Sequence, residues 1–190
     1  MRDIKKQFFL NVFGSGSCWD GVTLFGNIFR KPGVITVEYR LGGDLENIDL
    51  PVPVAAVQRC DELWKQTCFE LFIAVQGSSR YWECNFSPDG NWNVYRFSDY
   101  RLGMVEEEKV YPLDCCVIRE NDMFSLTVSL AVEGVIADQS DLDIGVSSVV
   151  KIHPDILGYW AVSHPEHKAD FHGRKSFDIN IPSILNEQSE

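Results

Sequence analysis

The sequence predicts an all-β protein: an antiparallel β-sandwich of about ten strands with very little helix. Three observations carry this. Short runs rich in β-branched and aromatic residues recur along the chain, separated by turn residues. Tight hairpin signals join several of these runs, with no helical crossover between them. Twelve Phe, six Tyr and five Trp among 190 residues suit a pleated surface, on which large flat side chains pack well. A closed barrel is the alternative arrangement of the same strands.

The elements follow in order. Strands are expected over residues 8–13, 22–30 and 34–41, with Lys31-Pro32-Gly33 turning the second into the third. The next three are expected over 69–76, 80–86 and 92–98. Gln76-Gly77-Ser78-Ser79 joins the first two of these. Ser87-Pro88-Asp89-Gly90, with Pro at the second position and Gly at the fourth of a type I turn, joins the last two. Strands over 115–120 and 123–130 meet at Glu120-Asn121-Asp122, and three more are expected over 142–150, 158–163 and 176–181. Alternation sorts the faces: Phe69, Leu71, Ile73 and Val75 share one side, and Glu70, Phe72 and Ala74 the other. Helix is confined to one or two turns over 61–66 and a short tail over 182–188.

Composition sets limits. Seventeen Lys+Arg against 28 Asp+Glu give a net charge of −11. That excludes nucleic acid, whose binding rests on neutralising phosphates, and docking on anionic membrane. The length fits a single domain over residues 1–190. Such a domain buries roughly 70% of its unfolded surface and needs neither disulfide nor metal to hold a core. The apolar run at residues 8–10 breaks at Asn11, too short for a signal segment, and no run approaches the ~18 apolar residues of a membrane span. Six cysteines without a CxxC spacing read as reduced thiols of a cytoplasmic protein. Strand alternation sends the adjacent Cys115 and Cys116 to opposite faces.

The chemistry is densest over residues 59–101. On the 80–86 strand, Trp82, Cys84 and Phe86 form one face, and Tyr81, Glu83 and Asn85 the other, extended by Ser87. Fixed polar groups beside aromatic rings suit a polyhydroxylated ligand: rings cover sugar C–H bonds, while carboxylate and amide atoms take the hydroxyls. A polar face is equally what the solvated side of an antiparallel sheet displays. Whether Glu70 joins this face depends on hairpin register, because a slip of one residue inverts every side chain. A second cluster, residues 160–173, holds three of the four histidines, His164, His167 and His172, with Glu166 and Asp170. The spacing His-x2-His-x4-His matches no standard zinc site. No metal is therefore assigned, and the segment reads as a loop whose His164, Asp170 and His172 rim a pocket. There is no GxSxG, no phosphate loop and no dinucleotide fingerprint, so no catalytic residue is assigned.

Three blocks carry a family resemblance: R-C-D-E-L-W-K-Q-T-C-F-E-L-F at 59–72, W-E-C-N-F-S-P-D-G-N-W-N-V-Y-R-F at 82–97, and Y-W-A-V-S-H-P-E-H-K-A-D-F-H at 159–172. Together they resemble the bacterial DOMON-like proteins, a group related to family-nine carbohydrate-binding modules. The resemblance implies a DOMON-type sandwich whose relatives hold sugars or haem b at one sheet. It implies that Trp64, Glu70, Glu83, Asn85 and Tyr95 face a pocket, with His164 and Asp170 at its rim. Haem-binding relatives use Met and His ligands. Only Met1, Met104 and Met123 are present, none paired by sequence with a histidine, so no cofactor is assigned, and haem and divalent metal stay as compounds to test.

The expected function is non-catalytic binding of a small ligand, a carbohydrate or related polar metabolite, at Trp64, Glu70, Glu83, Asn85, Tyr95, His164, Asp170 and His172. Two alternatives stay open. One is a hydrolase or sugar-modifying enzyme using Glu70 or Glu83 with His164 or His172. The other is a scaffold for a protein partner.

Overall fold

The structure, a computed structural model, describes residues 3–185. Twelve strands form one continuous ladder, bent so that its two halves pack face to face as an antiparallel sandwich. The strands are β1 (Ile4–Val12), β2 (Thr23–Lys31), β3 (Val34–Gly42), β4 (Cys68–Val75), β5 (Tyr81–Phe86), β6 (Trp92–Phe97), β7 (Val105–Glu106), β8 (Tyr111–Arg119), β9 (Met123–Ala131), β10 (Leu142–Ile152), β11 (Ile156–Ala161) and β12 (Ile179–Ile181). The order is β7-β6-β5-β4-β10-β11-β1-β2-β3-β9-β8, with β12 pairing the start of β10. β1 is the corner. Its residues Ile4 to Leu10 pair with β2, and Asn11 and Val12 turn to β11.

The hairpins form where turn chemistry demands them. Pro32 and Gly33 close β2 onto β3 with Lys31 opposite Val34, and Gly33 takes φ +67°, a left-handed value that costs glycine little. The Gly90 N–H donates to the Ser87 carbonyl at 3.0 Å, closing the Pro-Asp turn between β5 and β6. Gly26 answers a packing demand instead: a Cβ there would meet the Glu38 carbonyl and the Phe8 ring.

Between the halves, Phe69 of β4 lies against Tyr39 of β3 (5.0 Å between centroids) and Phe124 of β9 (5.6 Å). The Tyr39 hydroxyl donates to the Glu70 carbonyl across the same gap at 2.8 Å. Around them the inward residues of β2, β3 and β9 meet Leu71, Ile73, Trp82, Cys84, Ile144 and Val146. Arg30 is 2% exposed. Its guanidinium donates to four carbonyls, those of Ser140, Pro182, Ala137 and Asp138, at 2.7–3.3 Å.

The strand plan differs from expectation in detail. β7 is an extra two-residue strand, too short for any periodic signal. β8 begins at Tyr111, where Pro112 and a register shift before Asp114 hide the alternation. The 61–66 segment is a single 3-10 turn, Leu63–Lys65. Of the expected tail helix, residues 182–185 are not helical, and 186–188 lie outside the described residues. All six cysteines are free thiols, with Cys116 exposed and Cys115 half-buried on the opposite face. Among the described residues no helix is long and apolar enough to cross a membrane.

Candidate functional site

The β4–β5 register places Glu70 opposite Asn85 and Phe72 opposite Glu83. Glu70 therefore shares the outer face of its sheet with Glu83, its diagonal neighbour. On the flanking strands, Tyr95 lies opposite Glu83 and Ser147 opposite Glu70, and Tyr159 sits beyond Val149. This face is not a solvated surface. Glu70, Glu83, Asn85, Asn93 and Ser147 are all buried, as are Phe72, Tyr81, Tyr95 and Phe97, which form a second apolar cluster with Phe177.

Three loop segments, residues 61–66, 99–104 and 164–178, cover the face and form the walls of a half-open cavity of about 370 Å³. Its aromatic walls are Trp64, Phe97, Tyr159 and Phe171. Its polar groups are Glu70, Glu83, Arg101 and His172, with Met104, Val149 and Ala169 completing the lining. Among the described residues, the two non-glycine positions with positive φ are Glu62 (60°) and Arg101 (53°). Both sit in the covering loops: Glu62 opens the turn that carries Trp64, and Arg101 itself lines the cavity. Left-handed backbone costs an ordinary residue roughly 1–2 kcal/mol, and such strain concentrates at ligand clamps.

Each polar group is held in place. The Ser147 hydroxyl donates to Glu70 Oε2 at 2.9 Å, and the Asn85 amide donates to Glu83 Oε1 at 2.8 Å. Burial, and then the charge of Glu83, raises the Glu70 carboxyl well above the ordinary carboxylate range. Burial raises Glu83 as well, against the hydrogen bond from Asn85 and the charge of Arg101. At neutral pH the two acids hold a proton between them. Arg101 donates to Asp170 Oδ1 at 2.9 Å, Tyr100 donates to Asp170 Oδ2 at 2.6 Å, and the His172 backbone N–H adds a third bond to Asp170. His172 packs edge-on against Phe72 and Phe97. Burial, followed by the charge of Arg101, lowers its pKa to about 4, so it is a neutral imidazole at pH 7.

The residues named from sequence fall into three groups. Trp64, Glu70, Glu83 and His172 line the cavity. Asn85, Tyr95 and Asp170 stand behind it. Asn85 fixes Glu83, Tyr95 meets Trp64 edge-on with 5.8 Å between centroids and donates to Asp61, and Asp170 anchors Arg101 and Tyr100. His164 is not a lining residue: its Nε2 bonds the Asn11 carbonyl at 2.8 Å and its ring packs on Phe13, with Phe171 of the cavity wall 6.5 Å away between centroids. Sequence reading missed Phe97, Arg101, Met104, Val149, Tyr159, Ala169 and Phe171. Tyr159, Ala169 and Phe171 belong to a quoted block, and strand alternation pairs Phe97 with Tyr95. Arg101 has no local signal. Among the described residues no three His, Cys, Asp or Glu side chains converge as a metal-ligand set.

The fold recurs elsewhere. The chain is similar to the crystal structure of a candidate carbohydrate-binding protein from Bacteroides uniformis ATCC 8492, with a TM-score of 0.61 and 11% identity over 90% of this chain and 83% of that one. At that identity the likeness shows the all-β fold. No family model matches the chain, and no curated protein matches it.

Four rings around two carboxyls, a guanidinium and an imidazole can hold one small ring-shaped polar ligand. Recognition pockets span roughly 300–1,000 Å³, and this cavity sits near the lower end.

Proposed function

We propose that this chain is a non-catalytic binding protein for a small carbohydrate or similar polyhydroxylated metabolite, with a DOMON-type sandwich over residues 1–190 as one domain and a cytoplasmic setting. The observation that carries the reading is the cavity: the aromatic side chains of Trp64, Tyr159 and Phe171 line it together with the buried Glu70 and Glu83. Rings cover the apolar faces of a sugar while carboxylates accept from its hydroxyls. The name of the structural neighbour agrees with this reading.

The test is a thermal-shift panel of neutral mono- and disaccharides, amino sugars, sugar phosphates, haem and divalent cations, followed by calorimetry. A ligand at ~100 times its Kd adds about 2.7 kcal/mol and raises Tm by several degrees. Trp64→Ala and Phe171→Ala are expected to lose that shift while melting cooperatively. Silence toward every sugar overturns the reading and leaves a protein partner as the occupant to seek.

A second reading, an enzyme acting on glycosides, draws on one observation: two carboxyls on one face have raised pKa values, the pattern of acid–base pairs. His172 is the histidine that adjoins them. Turnover of a glycoside that vanishes in Glu83→Gln would establish it, and unchanged rates in that variant would remove it.

A further inference from the structure

We propose that the cavity is selective for an unacetylated amino sugar, its protonated amine seated at Glu70 and Glu83 and its ring against the aromatic wall. The proposal rests on the carbohydrate reading above and deepens it to a ligand class. The hydrogen-bond inventory carries it. Several donors around the cavity are already engaged: Ser147 with Glu70, Asn85 with Glu83, the Tyr81 hydroxyl with His172, and one Arg101 nitrogen and Tyr100 with Asp170. The acceptors are not. Glu70 is 3% exposed, yet among the described residues its Oε1 accepts no hydrogen bond. Glu83 Oε2 faces His172 Nε2 at 3.7 Å, beyond hydrogen-bond reach.

Charge points the same way. The groups facing the two carboxyls are Arg101, already neutralised by Asp170, and the neutral His172. Two buried acids thus share one cation that is itself paired with Asp170, and burial raises the pKa of each against that cation's pull. An ammonium supplies positive charge and up to three donors, and its binding releases the proton that the two acids share. Trp64, Tyr159 and Phe171 line the same cavity, and aromatic rings attract ammonium ions. Acetylation would remove the charge, and a uronate would set a third carboxylate beside two.

The experiment is calorimetric titration of the full chain near neutral pH with glucosamine, N-acetylglucosamine, glucose, glucuronate and choline. Glucosamine is expected to bind about tenfold tighter than glucose or N-acetylglucosamine, a charge-assisted hydrogen bond's worth of discrimination. Glucuronate is expected to bind weakest. Glu70→Gln and Glu83→Gln keep the shape of each side chain and can still accept from Ser147 and Asn85. Each is expected to erase most of the glucosamine advantage while moving glucose affinity less than about twofold. Glucose binding as well as glucosamine, or glucuronate binding best, overturns the inference and leaves the carbohydrate reading standing. Choline binding without any sugar, or no binding at all, overturns both.

Discussion

Tyr81 Oη lies 2.8 Å from His172 Nδ1, and this one contact sets the direction of the imidazole. The Arg101 backbone N–H donates to the same oxygen at 3.2 Å, which leaves the phenol hydrogen free to donate to Nδ1. The imidazole proton then sits on Nε2, the nitrogen turned toward Glu83. A residue of β5 thereby orients a side chain that arrives from a loop 91 positions later.

Tyr81→Phe leaves both Nδ1 and the Arg101 N–H without this partner. A loss of about 1–3 kcal/mol is expected, read from urea unfolding. Nitrogen NMR of His172 should show the single-tautomer pattern of the native protein give way to a mixture.

Stability is expected to fall as pH rises from about 6.5 to 8. Glu70 and Glu83 have folded-state pKa values raised to about 8 and about 6 from an unfolded 4.5. The folded state therefore binds more protons than the unfolded one, and stability is lost as pH climbs through these values. His172, lowered to about 4 from 6.5, acts oppositely: its contribution grows between those two values and is constant above 6.5. Above pH 6.5 the carboxyls act alone. Urea midpoints across the range should decline in the native protein and flatten in Glu70→Gln. An equal decline in that variant would count against Glu70 as the cause.

Asp170→Ala removes the partner of Tyr100, Arg101 and the His172 N–H at one stroke. Burial opposes ionisation of Asp170, but the bonds from Tyr100 and Arg101 outweigh it and hold the carboxyl below its usual range. Arg101 is 51% exposed, so solvent screening keeps the global cost to about 1–2 kcal/mol. The larger effect is expected locally, as faster hydrogen exchange over residues 99–104 with β4 and β5 unchanged.

Arg30→Lys preserves the charge and destroys the fork. A lysine ammonium cannot reach the four carbonyls that Arg30 gathers from residues 137–140 and 182. Several buried acceptors then lack donors, and a loss of about 2–4 kcal/mol is expected from chemical denaturation.

The strands were legible because their signals are local. Pro32-Gly33 and Pro88-Asp89-Gly90 mark hairpins within a few residues, and alternation such as Phe69-Leu71-Ile73 fixes which side meets the core. The side that carries Glu70 was not legible, because register is decided between β4 and β5, and a turn of Gly and Ser permits more than one pairing. Nor was the burial of the polar face. It is covered by residues 61–66, 99–104 and 164–178, brought together only by tertiary structure. Trp64, Glu70, Glu83 and His172 stood out because acids, Trp and His are conspicuous among strand residues. Arg101 is one cation in a polar turn, and only the fold carries it to the cavity. His164 looked like its neighbour His172, yet its bond to the Asn11 carbonyl keeps it out of the cavity lining.

The β4–β10 pairing has a kinetic consequence. Hairpins such as β2–β3 and β5–β6 close over short loops, but Glu70 and Ser147 meet across 77 positions and Thr36 and Ser129 across 93. Pairings of that span are the slow events in folding. The β4–β5 hairpin carries Glu70 and Glu83, but the cavity floor is completed only when β10 brings Ser147 and Val149 alongside, so no early hairpin holds the whole binding surface. An occupant recognises only the finished ladder, and its stabilisation should appear as slower unfolding, with the folding rate untouched. Occupancy would then govern how long each molecule lasts once made, and have no part in how fast it is made.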